Sequence, residues 1–284
     1  RTVGGVPPHD YQIPYSNIGE LLRKQVETYH DKKWLIFYSE ETGRVELSYN
    51  QFYDLVLRTA NLLLGQGIQR GDRIATISYN HADTVVQYFA AWMIGAVVVP
   101  INVGEDDKRV GYILQNSEAK LAFVREEFIG RVETIMTKTQ ITPSLVKVGS
   151  AHPSTSLRVT ENYLDFHSSI QDQQSEIYNF PNVSLEDEAL IVYTSGTTGL
   201  PKGVVLTQYN MLVDAKAIAE WHRMTPDQRI MCVLPIHHVN GTIVTLMTPM
   251  YYGGSVVLNQ KFHSGSFFER ITSERVHVVS VVPT

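Results

Sequence analysis

Cysteine is almost absent from this chain of 284 residues, and a single thiol cannot form a disulfide within it. The one cysteine, Cys232, stands inside the apolar run 230–234. That position predicts a buried side chain that fills space in the core rather than a nucleophile. Without a disulfide framework, a reducing compartment is favoured, and we expect a cytoplasmic protein.

Long hydrophobic runs and an excess of positive charge are also missing. The longest apolar stretch, residues 88–101, is interrupted by Gly95 and Pro100 and falls short of the roughly 18–20 residues that a helix needs to cross a bilayer. We therefore expect no transmembrane segment, and no signal-peptide pattern opens the sequence. The chain has 24 Lys and Arg against 29 Asp and Glu, without a basic stripe, so nucleic acid is a poor candidate partner.

Short apolar runs alternate along most of the chain with segments whose apolar residues recur at helical spacing. One such segment begins at Ser48, which has the capping-box spacing to Gln51, and another covers residues 81–94 with Asn80 as its expected cap. Continuous apolar strands separated by helices are typical of parallel sheets covered on both faces. We predict an α/β fold with parallel-rich sheets, and further helices at 18–29, 243–252 and 266–275.

The sequence divides into four predicted ranges. Residues 1–17 contain three prolines and a Gly-Gly pair, which indicates an extended arm. Residues 18–170 are predicted to form a first α/β subdomain, polar residues 171–188 a junction, and residues 189–284 a second α/β subdomain that is incomplete at its C-terminus. Because the sequence stops inside the apolar run 278–284, we expect it to be a piece of a longer protein.

Residues 194–203 are the most informative stretch, and they follow the apolar run 189–193. They contain four hydroxyl side chains, three glycines and one lysine, Lys202. Glycine lets backbone N–H groups approach phosphate oxygens, hydroxyls add donors and magnesium ligands, and lysine supplies a mobile positive charge. The pattern favours a polyanion-binding loop over an ordinary polar loop between strands.

The same stretch differs from the nucleotide-binding loop that leads from Gly-Lys-Ser/Thr straight into a helix. Pro201 precedes the lysine, and Gly203 follows it before a second apolar run, residues 204–206. Pro201 has no N–H and biases Leu200 toward extended backbone. We therefore predict a flexible connection between two strands rather than a rigid nest at a helix N-terminus.

Residues 193–203 resemble the phosphate-binding signature of the adenylate-forming ligases, which include acyl-CoA synthetases, luciferases and peptide-synthetase adenylation domains. Three more stretches resemble landmarks of that superfamily in the same order, namely residues 47–49 with the helix after them, 92–102 and 234–241. The resemblance extends from about Leu47 to Thr284. It is strongest to the N-terminal portion of acyl-CoA synthetases, the fatty-acid–CoA ligases.

The resemblance implies a two-step reaction. A carboxylic acid, here a fatty acid by overall likeness, reacts with ATP to give an acyl-adenylate and pyrophosphate, and the thiol of CoA then displaces AMP. ATP, Mg²⁺ and CoA are the implied cofactors. Lys202 is the implied catalytic cation and Thr194 the magnesium-linked hydroxyl, while the implied phosphate-binding residues are Thr194, Ser195, Gly196, Thr197, Thr198, Gly199 and Lys202.

Two adjacent histidines, His237 and His238, follow the run that contains Cys232. Neighbouring side chains of an extended chain point to opposite faces, and no Cys or carboxylate stands at zinc spacing, so a shared metal is disfavoured. A core histidine remains an alternative. The resemblance implies that His238 is catalytic and lies beside the acyl pocket, whereas His237 replaces an aromatic or aliphatic residue and so affects the expected pocket width.

Several residues that the implied reaction requires have no counterpart in the sequence. No Tyr-Gly-x-Thr-Glu string with the magnesium glutamate is present, nor are the ribose-binding aspartate and the lysine of the C-terminal lid. We therefore expect this fragment to be inactive in adenylation by itself. Two other functions remain open, an adenylation domain that loads a carrier protein and a non-catalytic nucleotide-binding module, and a homodimer is an assembly that the sequence leaves open.

Overall fold

A computed structural model of the chain describes residues 12–40, 43–149, 163–177, 180–194 and 200–282. Within these ranges the helices are α1 (Ile18–Tyr29), α2 (Tyr49–Gly65), α3 (Ala82–Met93), α4 (Asp107–Asn116), α5 (Ile129–Thr139), α6 (Phe166–Gln171), α7 (Gln208–Trp221), α8 (Thr248–Tyr252) and α9 (Ser264–Ser273). A 3₁₀ turn covers Glu126–Phe128, and a π-helix covers Asn240–Met247.

The strands form two sheets. They are β1 (Lys33–Ser39), β2 (Gly43–Ser48), β3 (Arg73–Ile77), β4 (Val97–Ile101), β5 (Leu121–Arg125), β6 (Ser144–Val148), β7 (Leu164–Asp165), β8 (Glu188–Thr194), β9 (Lys202–Thr207), β10 (Arg229–Cys232), β11 (Ser255–Asn259) and β12 (Val278–Ser280). One sheet has the order β12-β10-β11-β1-β2 and the other β7-β6-β5-β3-β4-β8-β9. All neighbours are parallel except the hairpin pairs β1–β2 and β8–β9. The predicted α/β fold with parallel-rich sheets is confirmed.

Alternate residues of the seven-stranded sheet enter different hydrophobic clusters, which shows that both faces of the sheet are covered. Ile74 and Val98 belong to the largest cluster, which also takes side chains from the five-stranded sheet and from α1, α2 and α3. Ala75 and Val97 belong to a second cluster with α4 and α5. A third cluster joins the outer face of the five-stranded sheet to α9. The helices of the largest cluster therefore lie between the two sheets, as the apolar strand runs require.

Both sheets take strands from either side of the predicted 171–188 junction. The seven-stranded sheet combines β3–β7 with β8 and β9, and the five-stranded sheet combines β1 and β2 with β10–β12. Neither range, 18–170 or 189–284, therefore builds a sheet alone. The junction itself packs along α2, where Arg58 donates to Gln173 O at 2.8 Å. Of the predicted arm, residues 12–17 contain no helix or strand, and residues 1–11 lie outside the described residues.

Local sequence signals set most element boundaries. Ser48 and Gln51 form the predicted capping box at the start of α2. The cap of α3 was predicted wrongly, because His81 Nδ1, not Asn80, accepts the hydrogen bond from the first turn. Asn80 points instead toward the other sheet, as described below.

Two further helices differ from the predicted ranges. The segment predicted at 243–252 begins earlier, as the π-helix Asn240–Met247, and continues as α8. α9 begins at Ser264, two residues before its predicted start. No helix in the described ranges is both long and apolar enough to cross a membrane.

Cys232 is fully buried and is a free thiol. Burial raises the pKa of this thiol to about 12, so it stays protonated at neutral pH and is a poor nucleophile. The prediction of a core-filling cysteine is confirmed.

Candidate active site

The predicted phosphate loop connects the two strands of an antiparallel hairpin. Thr194 ends β8, Lys202 begins β9, and the two residues pair directly across the hairpin. Thr194 Oγ1 lies 3.5 Å from the backbone oxygen of Lys202, and both side chains are exposed. The structure thus brings these two predicted site residues together at the end of the hairpin where β8 ends and β9 begins, which we call the hairpin mouth. The other predicted loop residues lie outside the described residues: Ser195, Gly196, Thr197, Thr198 and Gly199.

The hairpin mouth lies at the edge of the sheet where its parallel strands end. β8 is parallel to β4, and β4 is parallel to β3, so the carboxyl ends of all three meet there. In open α/β sheets, ligands bind outside this edge. The placement therefore agrees with a binding function for the loop.

Tyr193 and Gly203 shape the base of the mouth. A Cβ atom on Gly203 would lie 2.9 Å from Ile191 Cγ2 and 3.2 Å from Tyr193 Cζ, so only glycine fits without a shift of these neighbours. The Tyr193 hydroxyl donates to Asn116 Oδ1 at 2.7 Å, which ties β8 to the end of α4. Burial, together with the nearby Tyr112, raises the pKa of Tyr193 to about 12, so the hydroxyl keeps its proton.

Asn80 joins the carboxyl ends of the two sheets. Its Nδ2 donates to Leu234 O at 3.0 Å and to Asn259 O at 2.9 Å, and its Oδ1 accepts from Ile236 N at 2.8 Å. The residue is 4% exposed, so these bonds satisfy a buried amide. A polar residue placed just after strand β3 is the sequence signal that could have revealed this role.

His237 and His238 lie in a turn after β10 rather than in extended chain. The prediction that their rings point to opposite faces is wrong, since the ring centroids are 4.3 Å apart with planes at 56°. The turn is held by His238 N, which donates to Pro235 O at 3.1 Å, and by Thr242 N, which donates to His238 O at 2.9 Å. His238 is exposed.

His237 differs from its neighbour in environment. Its Nε2 is buried and has no hydrogen-bond partner within the described part of the chain. Burial of the ring, aided by the adjacent His238, lowers the pKa of His237 to about 4, so the imidazole is neutral at pH 7. A neutral, partly buried ring supplies one donor and one acceptor without charge.

Gly241 allows the histidine turn to close. A Cβ atom at this position would lie 2.3 Å from Pro235 O and 2.7 Å from Ile236 Cα, and both of these are backbone atoms that cannot move aside. The π-helix starts at the preceding residue, Asn240, and such segments are frequent at functional sites.

The sequence comparison decides the family. The AMP-binding enzyme family matches residues 22–284. This chain belongs to the AMP-binding enzyme family. The predicted membership is therefore confirmed.

Curated relatives of this chain include a crotonobetaine/carnitine–CoA ligase of Citrobacter koseri, which is 31% identical over 274 residues. A protein of the same name from Salmonella paratyphi A is 30% identical over 270 residues. Each alignment covers 94% of this chain and 51% of the relative, so the chain spans about half the length of these relatives.

Solved structures share the fold. The inhibitor-bound N-terminal domain of FACL13 from Mycobacterium tuberculosis has a TM-score of 0.78 at 24% identity, covering 95% of this chain and 63% of that one. ATP-bound MatB from Rhodopseudomonas palustris has a TM-score of 0.77 at 22% identity, covering 93% and 49%. The predicted fold, that of an adenylate-forming N-terminal domain, is confirmed.

The chain also buries a charged group at the same sheet edge that the sequence did not predict. We call it the Asp83 cluster; it consists of His81, Asp83, Arg125 and His167. Asp83 Oδ2 lies 3.1 Å from His81 Nδ1, 3.2 Å from His167 Nε2 and 3.7 Å from Arg125 Nη1. Because His81 Nδ1 accepts the Asp83 N–H, it carries no proton there, and His167 is the donor.

Charge pairing inside the Asp83 cluster outweighs the cost of burial. Burial alone would raise the pKa of Asp83, but its interaction with His167 holds it well below its usual range. Burial alone would lower the pKa of His167, but its bond to Asp83 raises it. No three His, Cys, Asp or Glu side chains in the described ranges are grouped to hold a metal ion.

Proposed function

We propose that the full-length protein containing this chain activates a carboxylic acid with ATP and then transfers the acyl group to CoA. The supporting observation is the pairing of Thr194 with Lys202 at an exposed hairpin mouth, in a chain of the AMP-binding enzyme family. An exposed ammonium and hydroxyl at the carboxyl edge of a parallel sheet suit a triphosphate.

The chemistry requires the acid to gain a leaving group, because a thiol cannot displace oxide from a carboxylate. In the first step, a carboxylate oxygen bonds to the α-phosphorus of ATP while the bond to pyrophosphate breaks. Negative charge builds on the departing phosphates, and positioned cations and donors lower that barrier. In the second step, the CoA thiolate sulfur bonds to the acyl carbon and AMP leaves.

We assign Lys202 to the β- and γ-phosphates, and we assign the N–H groups and hydroxyls of residues 194–199 to the same phosphates. Mg²⁺ binds few protein oxygens and keeps waters and substrate phosphates as its other ligands. The exposed hydroxyl of Thr194 fits that mode, so we assign it to Mg²⁺. His238, exposed on the turn after β10, is assigned to the acyl side of the site.

A fatty acid is our first candidate substrate, based on overall likeness to fatty-acid–CoA ligases. The curated relatives act, by their names, on crotonobetaine and carnitine, which favours a second candidate, a short acid with a quaternary ammonium group. Aromatic faces or carboxylates bind such cations, whereas an alkyl chain needs an apolar channel. The two candidates therefore require pockets of different chemistry.

The test is AMP release by the full-length protein with ATP, CoA and a panel of both kinds of acid. Lys202→Ala should lower kcat/KM by about 100-fold, because it removes a charge that acts on the transferring phosphates. Lys24→Ala is the matched control, since Lys24 is an exposed lysine on α1 that pairs with Glu20. Equal activity of the Lys202 variant and wild type would refute the loop assignment.

The acyl acceptor and the state of the fragment need separate tests. AMP release that depends on CoA supports the ligase, and loading of a carrier protein without CoA supports the adenylation-domain alternative. A lack of any turnover with intact ATP binding supports a non-catalytic module. We also propose that residues 1–284 alone do not complete adenylation, so ATP–pyrophosphate exchange by this chain at an ordinary enzymatic rate would contradict us. A cytoplasmic location and a homodimer stay predictions.

A further inference from the structure

One buried amide side chain connects the two halves of the candidate active site. The hairpin mouth belongs to the seven-stranded sheet, whereas the turn that carries His237 and His238 follows β10 of the five-stranded sheet. Asn80 follows β3 of the seven-stranded sheet, and its side chain bonds to the segment that leads into the histidine turn. The distance between the two halves therefore depends on contacts of this kind between the sheets.

Asn80 bonds to the backbone on both sides of Pro235. Its Nδ2 donates to Leu234 O at 3.0 Å, and its Oδ1 accepts from Ile236 N at 2.8 Å. The same Nδ2 donates to Asn259 O at 2.9 Å, at the end of β11. A primary amide offers two donors and an acceptor without a charge, and two carbonyls and one N–H require that set. These bonds therefore fix the backbone of residues 234–236 against the seven-stranded sheet.

The bond to Ile236 continues into the histidine turn. Thr242 Oγ1 donates to Ile236 O, and Thr242 N donates to His238 O at 2.9 Å. Thr242 is fully buried, so water does not compete for these bonds. Asn80 is thus linked through one backbone unit and one threonine to His238, the residue that we assign to the acyl side of the site.

The residues after Asn80 hold it firmly on the seven-stranded sheet. His81 caps α3, and Asp83 in the first turn of that helix faces Arg125 at the end of β5. The His81 ring also packs on the five-stranded sheet, with its centroid 4.7 Å from that of Phe37. Because the start of α3 is fixed in this way, the side chain of Asn80 transmits the position of one sheet to the other.

We propose that Asn80 is a positioning residue, which holds the histidine turn at the distance from the hairpin mouth that acyl-adenylate formation requires. The proposal rests on the proposed function, in which ATP binds at the mouth and the acid binds beside His238. The carboxylate oxygen must meet the α-phosphorus in line with the departing pyrophosphate, and a misplacement of about 1 Å can lower the rate about 100-fold. Asn80 is buried and acts through the backbone of residues 234–236 rather than on a reactant.

The experiment compares Asn80→Ala with wild type in the full-length protein, with an acid that supports AMP release. Loss of the three bonds lets the histidine turn shift, so kcat should fall about 10- to 100-fold. The Kd for ATP, measured by calorimetry without acid, should stay the same, since the bonds of Asn80 run to the other sheet. Circular dichroism and the midpoint temperature of thermal unfolding show whether the variant is folded at the assay temperature.

Gln208→Ala is the matched control. Gln208 is also a buried amide with both ends bonded, since its Oε1 accepts from Ile18 N at 2.8 Å and its Nε2 donates to Trp92 O at 2.9 Å. Its bonds join α7 to α1 and α3, and it follows β9 at the end opposite the hairpin mouth. It should lower the midpoint temperature but keep the wild-type kcat. Equal losses of kcat in the two variants would show that Asn80 acts only through stability, which overturns the proposal.

Thr242→Val tests whether Asn80 acts through the histidine turn. The substitution keeps the volume of the side chain and removes the hydroxyl that donates to Ile236 O. It should also lower kcat, and the double variant with Asn80→Ala should lose less than the product of the two single losses, because both changes release the same segment. Losses that multiply would show that the two residues act independently, and the assigned link would be wrong.

Wild-type turnover separates this proposal from the proposed function. If wild type releases no AMP with any acid, both are wrong. If wild type is active and Lys202→Ala impairs it, while Asn80→Ala keeps the wild-type kcat, only the role of Asn80 is wrong. A loss of kcat in Asn80→Ala with unchanged ATP binding, absent from Gln208→Ala, supports both.

Discussion

The hairpin mouth and the Asp83 cluster lie at the same edge of the seven-stranded sheet, yet charged groups are exposed in the first and buried in the second. At the mouth, Lys202 and Thr194 are exposed, and the contact recorded between them is 3.5 Å long. In the cluster, Arg125 is 2% exposed and Asp83 Oδ2 is inaccessible to water. The groups that we assign to ATP remain solvated, whereas the groups that shape the edge are paired with each other inside it.

The difference separates what each region controls. A charge that stays in water costs little to remove from the folded state, so changes at the mouth should alter binding and catalysis. When a buried charge loses its partner, water cannot take the partner's place, so the folded state is destabilised. Changes in the Asp83 cluster should therefore alter stability first.

The largest expected effect is that of Asp83→Asn. The substitution keeps the shape of the side chain but removes the buried negative charge that His167 and Arg125 face. Breaking a buried pair in this way costs about 3–5 kcal/mol. The measurement is the free energy of unfolding of this chain in urea at pH 6.

Asp107→Asn is the matched control for that measurement. Asp107 also stands in the first turn of a helix and pairs with an arginine, Arg131, at 2.8 Å, but it is 55% exposed. The expected loss of unfolding free energy is below about 1 kcal/mol. Equal losses for the two variants would mean that burial does not distinguish the cluster.

The same contrast explains how much of the molecule the sequence predicts. Thr194 and Lys202 stand in one short string with an apolar run on each side, so their chemistry and their place between strands can be read locally. The capping box of Ser48 and Gln51 is equally local. Such signals depend on neighbours within a few residues.

The parts that could not be predicted depend on contacts between distant residues. His167 is 84 positions from Asp83, and Asn80 meets groups more than 150 positions away. The mixing of strands from both predicted subdomains has the same cause, because pairing of β4 with β8 is decided by packing and not by either strand alone. Periodicity carries no information on such pairs.

Gly203→Ala tests whether the mouth has a rigid base. Its Cβ would lie 2.9 Å from Ile191 Cγ2, so the neighbours must shift, at a cost of about 1–3 kcal/mol. Gly130→Ala in α5 is the control, since no atom lies within 4 Å of the added Cβ, and it should be neutral or stabilising. The measurement is the midpoint temperature of thermal unfolding for both variants. Equal midpoints would indicate that the residues around Gly203 shift without a loss of stability.

The pH dependence of stability should also report the Asp83 cluster. The pKa of His167 is raised, so its contribution is full below its unfolded value near 6.5 and is lost as pH rises through the folded value. The pKa of Asp83 is lowered, so its contribution is full above about 4 and is lost as pH falls further. The Asp83–His167 pair therefore stabilises the folded chain most between about pH 4 and 6.5.

Urea denaturation of wild type and His167→Gln from pH 5 to 9 measures this contribution. The difference in unfolding free energy between them should be largest near pH 5–6 and should shrink toward pH 9. A difference that is constant with pH would show that His167 does not carry the charge that Asp83 faces.

The smallest expected effect concerns the tie between the hairpin mouth and α4. Tyr193→Phe removes the hydroxyl that donates to Asn116 Oδ1 at 2.7 Å, and the group is exposed enough for water to replace part of the bond. Its coupling with Asn116→Ala in a double-mutant cycle should be about 0.5–1 kcal/mol in unfolding free energy. In the full-length protein the same change should raise KM for ATP while kcat changes little, because the bond steadies the base of the mouth and does not touch the reacting atoms. A loss of kcat at unchanged KM would instead indicate that Tyr193 takes part in the reaction. The residues at the base of the mouth would then not be purely structural.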